Sequence, residues 1–261
     1  MLTISSAAVT HTGRVRESNE DSMLVTDRFV AVADGLGGHA AGEVASSIAV
    51  ERLRLLDDCE IVHPDDVISA IEDANRQILA ETKRRTEYDG MGTTLTGLGM
   101  VDVGGSEHYV VFNVGDSRVY RYTEGVLWQV TVDHSEVEEL RASGQLSAED
   151  AARYPRRNVV TRCLGSDPAP TPDLWVFPPS RSERFLVCSD GLTNEVDDAG
   201  IAELLGRHDE PEAAAGALLE EALAAGGRDN VAVIVVDLTS MDTQVMNIDT
   251  APRSKHLTML E

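Results

Sequence analysis

Apolar residues in this chain fall into short runs divided by polar and glycine-rich stretches. Phe29 to Ala33, Tyr109 to Val114, Val119 to Tyr122, Phe185 to Cys188 and Val231 to Val236 have the length and composition of buried strands. Other segments carry helical spacing. Gly42 to Leu56 places Val44, Ile48, Leu53 and Leu56 along one face. Pro64 to about Lys83 does the same with Val67, Ile71, Ala74 and Ile78. Pro64 suits a first helical turn, where its missing N–H would have had no partner. Pro211 to Ala225, rich in Ala and Leu, ends at Gly226 and Gly227, a C-terminal stop signal. The strands come in groups with helices between the groups and do not alternate strictly with them. This predicts antiparallel sheets with helices packed outside, an α+β chain and not a doubly wound parallel one.

Two regions break the pattern. Asp133 to Asp167 is charged and partly helical (Ser135 to Ser143, Ser147 to Arg153), and a proline-rich stretch, Pro168 to Pro179, follows it. It reads as an insertion over the surface, a flap. From Thr239 to Glu261 the chain is polar and aperiodic, a loosely held tail after a domain spanning residues 1–238. Composition narrows the function. The 261 residues suffice for one large domain, and aromatics make up only 4%, so the core is built from Val, Leu, Ile and Ala. With 45 acidic against 22 basic residues the formal charge is −23, which argues against nucleic acid or anionic lipid as partner. Cys59, Cys163 and Cys188 have neither zinc nor disulfide spacing and read as free thiols in a reducing compartment. The first residues lack the pattern of a signal peptide, and no apolar run is long enough to span a membrane. The expected location is the cytoplasm.

Candidate chemistry lies in acidic motifs spread along the chain: Asn19-Glu20-Asp21, Asp34-Gly35, Asp190-Gly191 after Ser189, and Asp229-Asn230. Asp34 and Asp190 follow apolar strands and precede glycine, which lets the backbone bend and bring a carbonyl oxygen close. Asp229 precedes a strand. In an antiparallel arrangement, strand ends and strand starts share an edge, so Asp34, Asp190 and Asp229 are candidates to meet. Gathered carboxylates repel one another, and an all-oxygen set suits hard cations such as Mg2+ and Mn2+. Alone, each Asp-Gly is also a common turn dipeptide. Two phosphate-handling chemistries are excluded. A tyrosine-phosphatase loop needs Arg six residues after Cys, where this chain has Asp65, Ala169 and Asn194; there is no Gly-Lys-Ser/Thr phosphate loop.

Eight stretches, in order from about Thr10 to Leu238, resemble the bacterial form of the metal-dependent protein serine/threonine phosphatases, the PPM or type 2C family. They are GRVRESNED (13–21), VADGLGGHAAGEVAS (32–46), MGTTL (91–95), NVGDSRVYR (113–121), DHS (133–135), RNVVTRCLG (157–165), LVCSDGLTNEV (186–196) and GGRDNVAVIVV (226–236). The resemblance implies a four-layer α-β-β-α sandwich, two stacked antiparallel sheets flanked by helices. It implies two Mn2+ or Mg2+ ions, with Asp34 bridging them, the Gly35 carbonyl completing one shell, and Asp190 and Asp229 holding the other ion. Glu20 and Asp21 would act behind the ligands through water, with Asn230 in support. Asp116 matches a position that joins Asp190 around a third, weaker ion. Arg16 matches the residue that grips the substrate phosphate.

The implied reaction is hydrolysis of phosphoserine and phosphothreonine. A bridging hydroxide formed between two cations attacks phosphorus in line, while the ions and Arg16 stabilise the phosphoryl oxygens. Leu36 stands where eukaryotic relatives carry a His proposed to protonate the leaving group, so a metal-bound water is expected to take that role. His39 is expected to start a helix or support the site, and His134 to order the start of the flap. The implied partners are phosphoproteins and a cognate Ser/Thr kinase, and the implied state is a monomer. Two alternatives remain: a phosphoprotein-binding pseudo-phosphatase, and a regulator of a phosphorylated anti-sigma antagonist.

Overall fold

The computed structural model describes residues 2–37, 40–151, 154–180 and 182–240. His39, Arg153 and residues 241–261 of the expected tail lie outside them. In chain order the elements are β1 (Leu2–His11), β2 (Ser22–Val25), β3 (Phe29–Ala33), β4 (Gly35–Leu36), α1 (Ala40–Arg54), α2 (Pro64–Arg84), β5 (Gly92–Thr93), β6 (Leu95–Val103) and β7 (Ser106–Val114). There follow β8 (Arg118–Thr123), β9 (Val126–Gln129), α3 (Glu136–Ala142), α4 (Ala148–Ala151), β10 (Asp173–Phe177), β11 (Ser182–Cys188), α5 (Asp190–Thr193), α6 (Asp198–Arg207), α7 (Pro211–Ala225) and β12 (Val231–Ser240). Short 3-10 turns follow α1 and α2.

Two five-stranded sheets, ordered β1-β12-β11-β8-β9 and β10-β7-β6-β3-β2, are antiparallel at every pairing. The period of two along each strand sorts the core into three layers. In β3, Val30 and Val32 face the other sheet, where they join Val187, Phe185, Ala232, Ile234 and Val236. Phe29, Ala31 and Ala33 face the opposite way and meet Ala45, Ala49, Ile71 and Ile78 of α1 and α2. On the far side, Val231, Val233 and Val235 pack with Leu186 and Cys188 against Ile201, Leu218 and Ala222 of α6 and α7. The result is the four-layer sandwich with helices outside both sheets.

One local expectation needs correction. β12 runs on through Thr239 and Ser240, paired to Thr3 and Leu2, so the domain does not stop at Leu238. Of the second flap helix, Ala148–Ala151 falls within the described residues. The flap returns to the body through bridges between Ser135 and Val160 and between Thr93 and Leu164.

Candidate metal centre

β3 and β11 belong to different sheets, yet both deliver an Asp to one end of the sandwich. β3 ends at Ala33 and the chain turns at Asp34. There Thr94 Oγ1 accepts a hydrogen bond from Asp34 N (2.9 Å), while Thr94 N and Thr93 Oγ1 both donate to Asp34 O (2.9 Å each). Thr94 Oγ1 also meets Ser117 Oγ at 2.9 Å, which ties the Asp34 turn to the residue beside Asp116. Thr93, Thr94 and Ser117 are fully buried. In the sequence the two threonines stand only within the MGTTL stretch, with no role assigned; the structure shows them holding the Asp34 backbone with three hydrogen bonds. The pairing of hydroxyls in MGTTL with the one in NVGDSR was the available signal.

β11 ends at Cys188. Ser189 then accepts a bond from Ala232 N (2.9 Å) and donates one to Asp21 Oδ2 (2.8 Å), joining β11, β12 and the Asn19–Asp21 loop. Asp190 opens α5, and its carboxyl accepts from Asn194 Nδ2 at 3.0 Å. Gly191 follows because the chain passes Asn230 closely: a Cβ at 191 would lie 1.9 Å from Asn230 O. Asn230 itself is a staple. Its Oδ1 accepts from Glu20 N (2.8 Å), and its Nδ2 donates to Thr12 O (2.9 Å) and Ser18 O (2.8 Å).

The structure thus brings Asp21, Asp34, Asp116, Asp190 and Asp229 into one neighbourhood. Each is half-buried. Enclosure is the largest cause of a raised pKa at four of them, followed by the neighbouring carboxylates. Asp34 is pushed well above the ordinary range by burial and then by Asp21, Asp190, Asp116 and Asp229. Asp190 is raised by burial and Asp229, against opposing bonds from Asn194 and Asp34. Asp21 is raised to about 7 and Asp116 to about 8, again by burial first. Arg16 Nη2 donates to Asp229 Oδ2 at 2.7 Å, and burial opposes a raised guanidinium pKa less than that bond favours it. With 55% of its side chain exposed, Arg16 keeps donors facing outward. Glu20 lies beside it, its backbone carbonyl accepting from Ser46 Oγ at 2.6 Å.

The donor set suits a hard cation. Asp21 Oδ1 is buried with no hydrogen-bond partner, an acceptor that a cation or its water would satisfy. All the gathered donors are oxygens, as Mn2+ and Mg2+ prefer. Among the described residues no three His, Cys, Asp or Glu side chains close on a single point. Ions of this class fill the rest of their shells with carbonyl oxygen and water, so pairs of carboxylates suffice. Thiol chemistry has no place here: burial pushes the Cys188 thiol up to about 12.

This fold is shared with solved serine/threonine protein phosphatases, one of them in complex with two manganese ions. The profile of the family described as Protein phosphatase 2C matches residues 13–224, and the chain belongs to that family. The matched stretch stops short of Asp229 and Asn230, which the structure sets beside Asp190 and Glu20. A serine/threonine phosphatase of Listeria innocua, stp, is 37% identical over 246 residues, 89% of this chain and 95% of that one. The serine/threonine protein phosphatase PstP of Mycobacterium tuberculosis is 38% identical over 248 residues; these cover 92% of this chain and 46% of PstP. A crystal structure of the PstP catalytic domain in complex with two manganese ions superposes with a TM-score of 0.83 at 36% identity, covering 92% of this chain and all of that one.

Proposed function

We propose that this chain is a metal-dependent phosphatase that hydrolyses phosphoserine and phosphothreonine in proteins and opposes a Ser/Thr kinase. The observation that carries this reading is the gathering of Asp21, Asp34, Asp116, Asp190 and Asp229 with Arg16 at their mouth, in a chain of this family. Asp34 with the Gly35 carbonyl, Asp190 and Asp229 are the residues to hold two Mn2+ or Mg2+ ions, and Asp116 with Asp190 a third. Bound there, the cations supply the charge that acidifies water and draws electron density from the phosphoryl oxygens.

The chain's own residues do the rest. Arg16 turns its free donors to the phosphoryl oxygens, which a guanidinium can hold with two parallel bonds. Asp21 and Glu20, with Asn230 behind them, fix the loop that carries Arg16. In this reading water attacks phosphorus directly, and burial of Cys188, which raises its thiol pKa, disfavours that cysteine as a nucleophile. Leu36 has no proton to give the leaving alkoxide, which takes one from water. No described helix is long and apolar enough to cross a membrane. The free Cys59, Cys163 and Cys188 fit a reducing, cytoplasmic setting, and the strong negative charge favours a monomer.

The test is phosphate release from a phosphothreonine peptide by protein stripped with chelator and then given Mn2+, Mg2+ or nothing. Release that needs added metal supports the reading. Folded protein that releases nothing with either ion would point instead to a phosphoprotein-binding pseudo-phosphatase.

A further inference from the structure

His134 is buried at the root of the flap, 4% exposed, and both of its ring nitrogens are engaged with different elements. Nδ1 accepts from Gly115 N at 3.1 Å, and Nε2 meets Asp173 Oδ2, on β10, at 3.1 Å. A backbone N–H can only donate, so Nδ1 carries no proton and Nε2 does. Nε2–H therefore donates to Asp173. Arg162 Nη1, also a donor only, stands 3.2 Å from Nε2 and 3.4 Å from Asp173 Oδ1, so the carboxylate accepts from both. Burial works against that carboxylate, yet the bonds from His134 and Arg162 hold its pKa below the ordinary value.

The backbone repeats this double attachment. His134 N donates to Gly115 O (2.9 Å), and Thr161 N, on the returning limb of the flap, donates to His134 O (2.7 Å). Gly115 has φ of +116° and lies against Thr94, so the turn before Asp116 has little room to shift.

We infer that His134 is a positioning residue with two separable arms: Nδ1 fixes the Gly115 turn that aims Asp116, and Nε2, through Asp173 and Arg162, fixes the flap to the body of the sandwich. The importance given to the first arm rests on the proposal that Asp116 holds a cation.

Asn and Gln separate the arms, because the Asn amide oxygen can take the place of Nδ1 and the Gln amide nitrogen that of Nε2. Mn2+ binding is followed by calorimetry, and flap attachment by the rate of trypsin cleavage at the exposed Arg141, Arg156 and Arg157. His134→Gln is expected to weaken Mn2+ binding at the weakest site about tenfold with flap cleavage as in the parent. His134→Asn is expected to cleave several-fold faster with the parental Mn2+ titration. Arg162→Gln, at a side chain 37% exposed, cuts only the flap arm and should behave like His134→Asn. The inference is overturned if Arg162→Gln weakens Mn2+ binding or leaves cleavage unchanged, or if the two His134 variants move both readouts alike. Neither readout uses a substrate, so an inactive parent would count against the phosphatase reading alone.

Discussion

At the scale of single residues, Asn230 shows how a neutral side chain governs a charged site. Its amide links Glu20, Thr12 and Ser18 to the strand that begins one residue after it, and it adds no charge to a crowded set of acids. Asn230→Ala removes three hydrogen bonds made by a buried side chain, which should cost about 1–3 kcal/mol of stability. The Arg16–Asp21 loop also loses its ties at Ser18 and Glu20 to the start of β12, and is left with the Arg16–Asp229 bond on that side. Affinity for Mn2+ is then expected to fall about 10–100-fold, the usual cost of removing a residue that orients ligands. Calorimetric titration and a thermal melt of the same sample would check both effects. A melt that shifts while Mn2+ binds as before would reduce Asn230 to a structural tie. Asp34, Asp190 and Asp229 were legible because each sits beside Gly or Asn at the end or the start of an apolar run, whereas Asp116 came only with the family resemblance. Ser189, Thr94 and Ser117 were not, since a buried hydroxyl looks in sequence like any other small polar residue.

At the scale of elements, legibility followed burial on both faces. β3, β11 and β12 lie inside their sheets and read as plain apolar runs. β1 and β10 are edge strands: β1 is interrupted by Ser and Thr, and β10 lies among prolines with only Trp175 and Phe177 well buried. β6 is central but was hidden by Gly97 and Gly99. A Cβ at 99 would lie 2.1 Å from the Phe29 ring, so the glycine that breaks the pattern is what lets β3 and β6 pair. The segment 133–167 was read as a flap, but its contacts with the body were not legible. It carries an open cleft of about 450 Å3 lined by Tyr154, Pro155, Arg156, Arg157, Asn158 and Val159. Arg156 pairs with Glu136 at 2.7 Å while 65% of its side chain stays exposed, and such a pair is worth little in water. Its charge therefore remains available to a passing acidic segment. Replacing Arg156 and Arg157 by Glu should raise KM for a phosphopeptide several-fold and leave KM for a small aryl phosphate unchanged. Equal changes on both substrates would show that the flap acts on the site and not on the peptide.

At the scale of the whole molecule, the site is a source of instability that cations relieve, and pH should expose it. In the unfolded chain these aspartates titrate near pH 4. In the folded chain Asp21 titrates at about 7 and Asp116 at about 8, with Asp34 and Asp190 shifted the same way. Below about pH 4 both states hold the protons and the site costs little. Between about 4 and 8 the folded state retains protons the unfolded state has lost, so stability falls as pH rises. Above about 8 the part of the penalty that comes from Asp21 and Asp116 levels off. Asp173 and Glu195, held below their ordinary values, lose their contribution only in acid and leave this window clear. Chelated protein should therefore melt at progressively lower temperature from about pH 5 to 8. Saturating Mn2+ should raise Tm most at the alkaline end, because the ions take the place of the protons and bind only the folded chain. If the carboxylates do not share one field, Tm in chelator will stay flat or rise over that range. A shift with Mn2+ that is the same at pH 5 and pH 8 would mean that the ions bind without displacing protons from these carboxyls.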